Sequence, residues 1–349
     1  MSLFEKVRDL PLTVEGYSLE DLSMDVSSEF TRETTVIRLL GGGEEGLGED
    51  VTYEAEEHHA QLERGTVLPL EGDWTFGSFS RHLETVPLFE REPKRAVYLS
   101  YRRWAFESAA LDLALRQARL SLAKAVGREL RPLTFVVSLR LGEPPSTDRV
   151  RGWLAFYPSL RFKLDATSDW TDELVAELRD LGCVDSIDFK GHYTGTVVDQ
   201  PPDPELYRRV VEGLPDAWLE DPALDDRTLP ILKPHANRVT WDAIIHSVAD
   251  IEALPWPPKT VNIKPSRFGS TQGLFAAYDY CEERGIDAYG GGQFELGPGR
   301  GQIQYLAALF HPGTPNDVAP GGFNSPEPQP RLPSSPLRIE PRPTGFLAL

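Results

Sequence analysis

In the second half of this 349-residue chain, charged residues close a series of short apolar runs, and their types are those that handle metals and protons. Lys163 and Asp165 close LRFKLD, Asp188 stands in VDSIDF, Glu220 in AWLEDP, and Asp242 closes RVTWD. Lys264 closes TVNIK and Glu295 closes AYGGGQFE. Three hard carboxylates that leave room for water and a substrate describe a Mg²⁺ site better than a Zn²⁺ site. Taken singly, each carboxylate could instead cap the helix that follows it. Three on consecutive runs, bracketed by lysines, favour the metal. Lys264 alone reads as an edge residue whose stem snorkels to water, or as an active-site group. The chemistry open to such a set is removal of a proton beside a carboxylate. That proton is a very weak acid, because the resulting dianion is unstable. A divalent ion on the substrate carboxylate stabilises the enediolate, and a neutral lysine takes the proton.

These side chains converge only if the runs are parallel strands whose C-terminal ends share one rim. The intervening segments support that. TDELVAELRDLG, PELYRRVVEGL, SVADIEAL, TQGLFAAYDYCEERG and GQIQYLAALF each read as a helix following a strand. Regular βα units of this number predict a parallel sheet, with a barrel as its closure. Residues 1–130 differ and read as an α+β capping domain. There, 34–54 reads as a strand, a Gly-rich turn and a polar loop, and 102–127 as a long amphipathic helical region ended by Gly127. Residues 131–325 form the predicted barrel domain, and 326–349 a Pro-rich tail expected to pack on the cap.

The ordered set KLD, DFKG, WLEDP, TWD, NIKPSRFGS and GGGQFELGPGRGQIQYLA resembles the enolase superfamily. The match is to its mandelate racemase/muconate-lactonizing branch, in the subgroup of muconate-lactonizing enzyme and o-succinylbenzoate synthase. The resemblance implies an α/β fold, a TIM-type modified (β/α)7β barrel behind an N-terminal α+β cap. It implies Mg²⁺ on Asp188, Glu220 and Asp242, with Lys264 as an acid/base lysine. Lys163 matches the first lysine of the subgroup's KxK motif. The second is Asp165, where the subgroup often has a base on the opposite face of the substrate. The residue two after the first ligand, usually Asn, is Lys190. Lys190 and Glu295 fall at substrate-binding positions. The His–Asp dyad of mandelate racemase relatives has no histidine in 264–300. Lys264 is therefore expected to be the only competent base, with Asp165 holding Lys163 in place. That favours elimination (dehydration) or cycloisomerisation over racemisation. The rival reading is a catalytically altered barrel that keeps the metal with little or no turnover.

The composition excludes several partners. A net charge of −18 argues against nucleic acid and anionic membranes. No stretch is apolar enough to span a bilayer, and MSLFEKVRDL lacks the h-region of a signal peptide. Cys183 and Cys281 have no metal-like spacing and read as reduced thiols, so a cytoplasmic location is expected. The partner expected is a small carboxylate substrate, and the resemblance suggests a homo-oligomer. Gly41, Gly43 and Gly46 formally fit G-x-G-x-x-G, but no helix is predicted after them, so a mobile loop over the barrel mouth is the better reading. GPGRG at 297–301 could hold an anion at a helix start or make a tight turn. His58, His59 and His82 have no metal spacing and read as cap or surface residues, and Ser or Cys nucleophile signatures are absent.

Overall fold

The computed structural model describes residues 1–26, 30–193, 195 and 198–347. Its N-terminal part carries β1 (Pro11–Val14), β2 (Gly16–Val26), β3 (Phe30–Gly41), β4 (Glu44–Asp50), α1 (Ala55–Arg64), β5 (Gly72–Thr75), α2 (Phe76–Leu83) and α3 (Val97–Gln117). β2, β3 and β4 make an antiparallel sheet, and β1 pairs with β5. The segment read as a polar loop is β4. Gly42 and Gly43 both take positive φ, 59° and 74°, and so close a tight hairpin between β3 and β4. A Cβ on Gly48 would lie 1.9 Å from the Ala105 carbonyl oxygen, so β4 can lie directly on α3 only as glycine. The Gly-rich turn is thus at the end of β3 remote from Phe30. Phe30 lines the cavity over the parallel strands and the turn does not, which corrects the expectation of a loop over the mouth. The helical region read as 102–127 also divides. α3 ends at Gln117, Arg119 turns left-handed at φ 58°, and Ser121 caps a separate short helix, Leu122–Val126.

The second part is a curled sheet of seven parallel strands. They are β6 (Val137–Leu139), β7 (Phe162–Asp165), β8 (Val184–Asp188), β9 (Trp218–Glu220), β10 (Val239–Trp241), β11 (Thr260–Ile263) and β12 (Asp287–Gly290), adjacent in chain order. Helices cover the outer face and inward side chains fill the inner one, so the strands are buried on both sides and their apolar runs are almost continuous. Capping explains the regular return of the chain. Thr171, Ser247 and Ser270 accept backbone N–H bonds at helix starts, while Gly182 and Gly285 take the left-handed position at helix ends. Asn316 and Asp317 lie between the two edge strands. Asn316 bridges Phe135 and Asp317 bridges Gly291, both in parallel sense. The segment after Phe310 is therefore not only a wrapping tail.

Two features dock the first part onto the second. The Glu49 carboxylate, at the end of β4, accepts N–H bonds from Leu296 (2.6 Å), Gly297 (3.0 Å) and Gly299 (2.9 Å). The anion held at the GPGRG helix start is thus the protein's own glutamate. The C-terminal segment pairs Leu337 with Leu133, and the Phe346 N–H donates to Asp112 on α3 at 2.6 Å. It touches both parts, whereas the sequence suggested the cap; the last two residues of that expected tail, Ala348 and Leu349, fall outside the described residues.

Candidate active site at the strand ends

Strand register builds the site. Asp165 pairs with Asp188 across β7 and β8, and Asp188 with Glu220 across β8 and β9. Glu220 pairs with Thr240 on β10. Side chains alternate along a strand, so Asp242, two residues beyond Thr240, points inward with it, and Lys264 follows Asn262 in the same way. Carboxylate oxygens of Asp188, Glu220 and Asp242 lie within 4.8 Å of one another, and all three residues are buried. Glu220 Oε2 is buried with no hydrogen-bond partner. A compact set of three acids with an unpartnered oxygen fits a divalent cation.

Cations surround the acids. Lys163 Nζ bonds Glu220 and lies 3.2 Å from Asp188 and 3.6 Å from Asp317. Lys264 Nζ donates to Asp242 at 2.8 Å. Lys190 Nζ bonds Asp188 and stands 3.2 Å from Asp165. Arg267 bonds the other Asp242 oxygen at 2.6 Å, and the Tyr193 hydroxyl donates to Asp242 at 2.9 Å. These contacts set the charge states. Burial pushes the Asp188 carboxyl up, but Lys190 and Lys163 overcome it and hold the group down at about 2. Asp242 is held well below the usual range against the same burial, by Arg267 and Lys264. Burial lowers Lys163, yet Glu220 and Asp188 keep it charged well above its ordinary value. Glu220 moves the other way, to about 8, because burial and its acidic neighbours outweigh Lys163.

Two expectations fail on geometry. Asp165 does not hold Lys163. It takes Arg140 at 3.2 Å and Lys190 at 3.2 Å, while Glu220 and Asp188 hold Lys163. Glu295 does not reach the cavity. β12 stops at Gly290, and Glu295 turns back to accept the Gln293 N–H at 2.8 Å, so Gln293 lines the cavity in its place. The cavity is about 680 Å³ and runs from Lys163, Lys190 and Lys264 up to cap residues including Phe30, Tyr53 and Tyr98. Gln293 ties that roof down, accepting from the Tyr53 hydroxyl (2.9 Å) and donating to Tyr101 (3.0 Å).

Several site residues were not singled out from sequence. Arg267 is three residues beyond Lys264, within the helical turn Pro265–Phe268, and that spacing was the available signal. Asp221 takes φ 47° and accepts the N–H groups of Asp242 (2.8 Å) and Ala243 (2.7 Å), fixing the backbone behind Asp242. Tyr193, His192, His246 and Asp317 line the cavity from loops with no local signature.

A cap of antiparallel sheet and helices over parallel strands that carry acids and lysines at their C-terminal ends is the enolase-superfamily fold. An enolase-superfamily protein from Listeria innocua superposes with a TM-score of 0.64 at 18% identity, over 89% of this chain and 86% of that one. A dipeptide epimerase from Methylococcus capsulatus, solved with a Mg ion, gives 0.63 at 19% identity, over 91% and 89%. Among curated proteins, an N-succinylamino acid racemase from Amycolatopsis sp is 26% identical over 329 residues, 89% of this chain and 86% of the relative. The chain belongs to the family described as DUF8230, a domain of unknown function, whose N-terminal domain matches residues 5–125 and whose C-terminal domain matches 129–325.

Proposed function

We propose that this protein is an enzyme of the isomerase type that moves a proton at the carbon beside a substrate carboxylate. Asp188, Glu220 and Asp242 would hold Mg²⁺, and Asn316 and Asp317 would close the sheet into the (β/α)7β barrel. Bound there, the ion supplies positive charge beside the substrate carboxylate and makes the neighbouring C–H more acidic. The observation that carries the reading is a pair of primary amines on opposite flanks of the acids. Lys264 sits on Asp242, beyond β10, and Lys190 on Asp188, beyond β8. Against burial, Asp165 and Asp188 hold Lys190 above its ordinary value; were Asp188 given over to Mg²⁺ that hold would weaken, and a proton could then leave one face to one amine and return to the other face from the second. The sequence pattern offers Lys264 alone, because residue 165 is aspartate. In the fold, Asp165 instead supports an amine, Lys190, that enters from the next strand. Inversion at one carbon thereby becomes the favoured outcome over elimination. The racemase and epimerase named among the relatives support the same class. Lys163, pinned by three acids, would remain an ammonium donor near the substrate oxygen, and Arg267 and Tyr193 would hold Asp242.

The test is α-proton exchange. The protein is incubated with MgCl₂ in D₂O against both enantiomers of N-acylamino acids and against dipeptides, and the α-hydrogen is followed by NMR. Exchange from both enantiomers is expected. Lys264→Ala should suppress exchange from one enantiomer and Lys190→Ala from the other. A protein that binds Mg²⁺ but exchanges none of the panel would instead support the altered barrel.

A further inference from the structure

Both oxygens of Asp242 are already taken. Oδ2 accepts from Lys264 (2.8 Å) and from Tyr193 (2.9 Å), and Oδ1 accepts from Arg267 (2.6 Å). A cation on these oxygens has to displace a donor. Arg267 is also tied to the Asp242 main-chain carbonyl and to the Tyr193 hydroxyl, and Tyr193 carries no charge to repel the ion. Lys264 has no hydrogen-bond partner but Asp242 among the described residues, and its ammonium rides on a flexible four-carbon stem. Like-charge repulsion therefore removes Lys264 first, and the amine needs another acceptor.

Its own strand carries one. Asn262 stands two residues earlier on β11, so its side chain shares the inward face with Lys264. It is 1% exposed, and both atoms of its amide are buried with no hydrogen-bond partner. An unpaired buried amide is costly, and a folded chain rarely keeps one without a use. Strand pairing sets Asn262 beside Tyr289 and Ile263 beside Gly290, which brings Gly291 next to Lys264. A Cβ on Gly291 would lie 2.5 Å from Lys264 Cε, 2.9 Å from Asn262 Oδ1 and 3.0 Å from Asn262 Nδ2. The lysine stem and the amide thus face the same small space, left open by the missing side chain, and either orientation of the amide brings its oxygen there. The nearby Thr240 and Tyr289 hydroxyls bond each other at 3.0 Å and leave the amide unpaired.

We propose that Asn262 is a positioning residue, the acceptor that holds the Lys264 amine once Asp242 is given over to Mg²⁺. The inference rests on the metal and α-proton reading above and adds how its base is aimed. One N–H donated to Asn262 Oδ1 stops the amine from rotating, so its lone pair keeps one direction into the cavity that Lys264 lines. An amide suits this task better than a carboxylate. Its oxygen orients the amine without the negative charge that would keep the proton on it.

The first readout needs no substrate. The full-length protein carries ¹³C-labelled lysine, Lys264→Arg assigns the Lys264 signal, and NMR spectra are recorded with and without MgCl₂. A held amine gives its two Hε protons different shifts. In the wild type they should differ in both states, and the signal should move when MgCl₂ is added, because the partner changes. Asn262→Leu keeps the volume and removes the acceptor, so the two shifts should merge only with Mg²⁺ present; Asn262→Asp keeps an oxygen there and should keep them apart. The second readout is α-deuterium exchange from each enantiomer of N-acetyl-leucine. Asn262→Leu should lower kcat at least about tenfold, with KM within about twofold, for the enantiomer that Lys264→Ala suppresses, and spare the one that depends on Lys190. A merely structural asparagine predicts otherwise, since an apolar replacement of an unpaired buried amide is close to neutral. Lys264 shifts that stay apart in Mg²⁺-loaded Asn262→Leu, a wild-type Lys264 signal indifferent to Mg²⁺, or equal loss for both enantiomers overturns the proposal. Asn262→Ala takes the place of the leucine variant should that one not fold. Exchange from neither enantiomer by the wild type would remove the α-proton reading for this substrate, while the lysine spectra still decide the role of Asn262.

Discussion

Gly291 offers a sharp test of the placement of Lys264. It is the first residue after β12, and a Cβ built on it would lie 2.5 Å from Lys264 Cε and 2.9 Å and 3.0 Å from the Asn262 amide atoms. Carbon atoms rest at about 3.5–4.0 Å, so Gly291→Ala must push the lysine stem by about 1 Å. The tip of that side chain is flexible and Asn262 has to give only slightly. The stability loss should therefore sit at the low end of overpacking, about 1 kcal/mol. For a domain of this size that is a fall in Tm of a few degrees. The amine, however, leaves the position set by its 2.8 Å contact with Asp242. Misplacing a reacting group by about 1 Å can slow catalysis about 100-fold. The assay measures α-deuterium exchange and thermal unfolding on the same samples. Gly301→Ala is the control: nothing lies within 4 Å of its would-be Cβ, and an alanine in that helix should be neutral or stabilising. Gly291→Ala enzyme that folds and exchanges within about threefold of wild type would refute the reasoning, because proton transfer tolerates no such displacement.

Glu220→Gln keeps the side-chain shape but removes the central charge of the three acids, so the Tm rise expected with 10 mM MgCl₂, about 3 kcal/mol of stabilisation at a hundredfold excess over Kd, should vanish in the variant. Absence of any rise in the wild type would remove the metal assignment. His311 yields a pH dependence. Its ring donates from Nδ1 to Asn316 Oδ1 (2.6 Å) and lies 3.2 Å from the Tyr278 hydroxyl, and burial lowers its pKa to about 4. The unfolded imidazole titrates near 6.5, so the stability from keeping it neutral is complete above that value and is lost as pH falls towards 4, at up to about 1.4 kcal/mol per pH unit. Urea unfolding at pH 7 and pH 5 should show a smaller pH effect for His311→Asn; an unchanged difference would contradict the assignment.

Much of this molecule was legible from the chain. Val261 and Ile263 make a buried strand because β-branched residues suit a sheet covered on both faces, and Lys264 ends it because Pro265 withdraws a backbone donor. The same logic located each βα unit, so the order Asp188, Glu220, Asp242, Lys264 around a rim followed from local pattern and strand geometry alone. Helix ends at Gly182 and Gly285 were equally local, since glycine takes the left-handed turn without strain.

Which charge faces which was decided only by the tertiary structure. Asp165 and Lys163 are two apart on one strand and share a face, yet the register of β7 on β8 gives Asp165 to Lys190 and leaves Lys163 to the acids. Glu295 stands at the end of an apolar run like the others, but the strand stops at Gly290 and the loop turns it away. Glu49 meets the start of a helix some 250 residues further along the chain, and Asp317 reaches Lys163 from a segment with no regular structure of its own. Local sequence sets propensities and side-chain alternation. Pair energies between buried charges depend instead on separations of a few ångströms, which exist only once distant strands, cap and closing segment have packed.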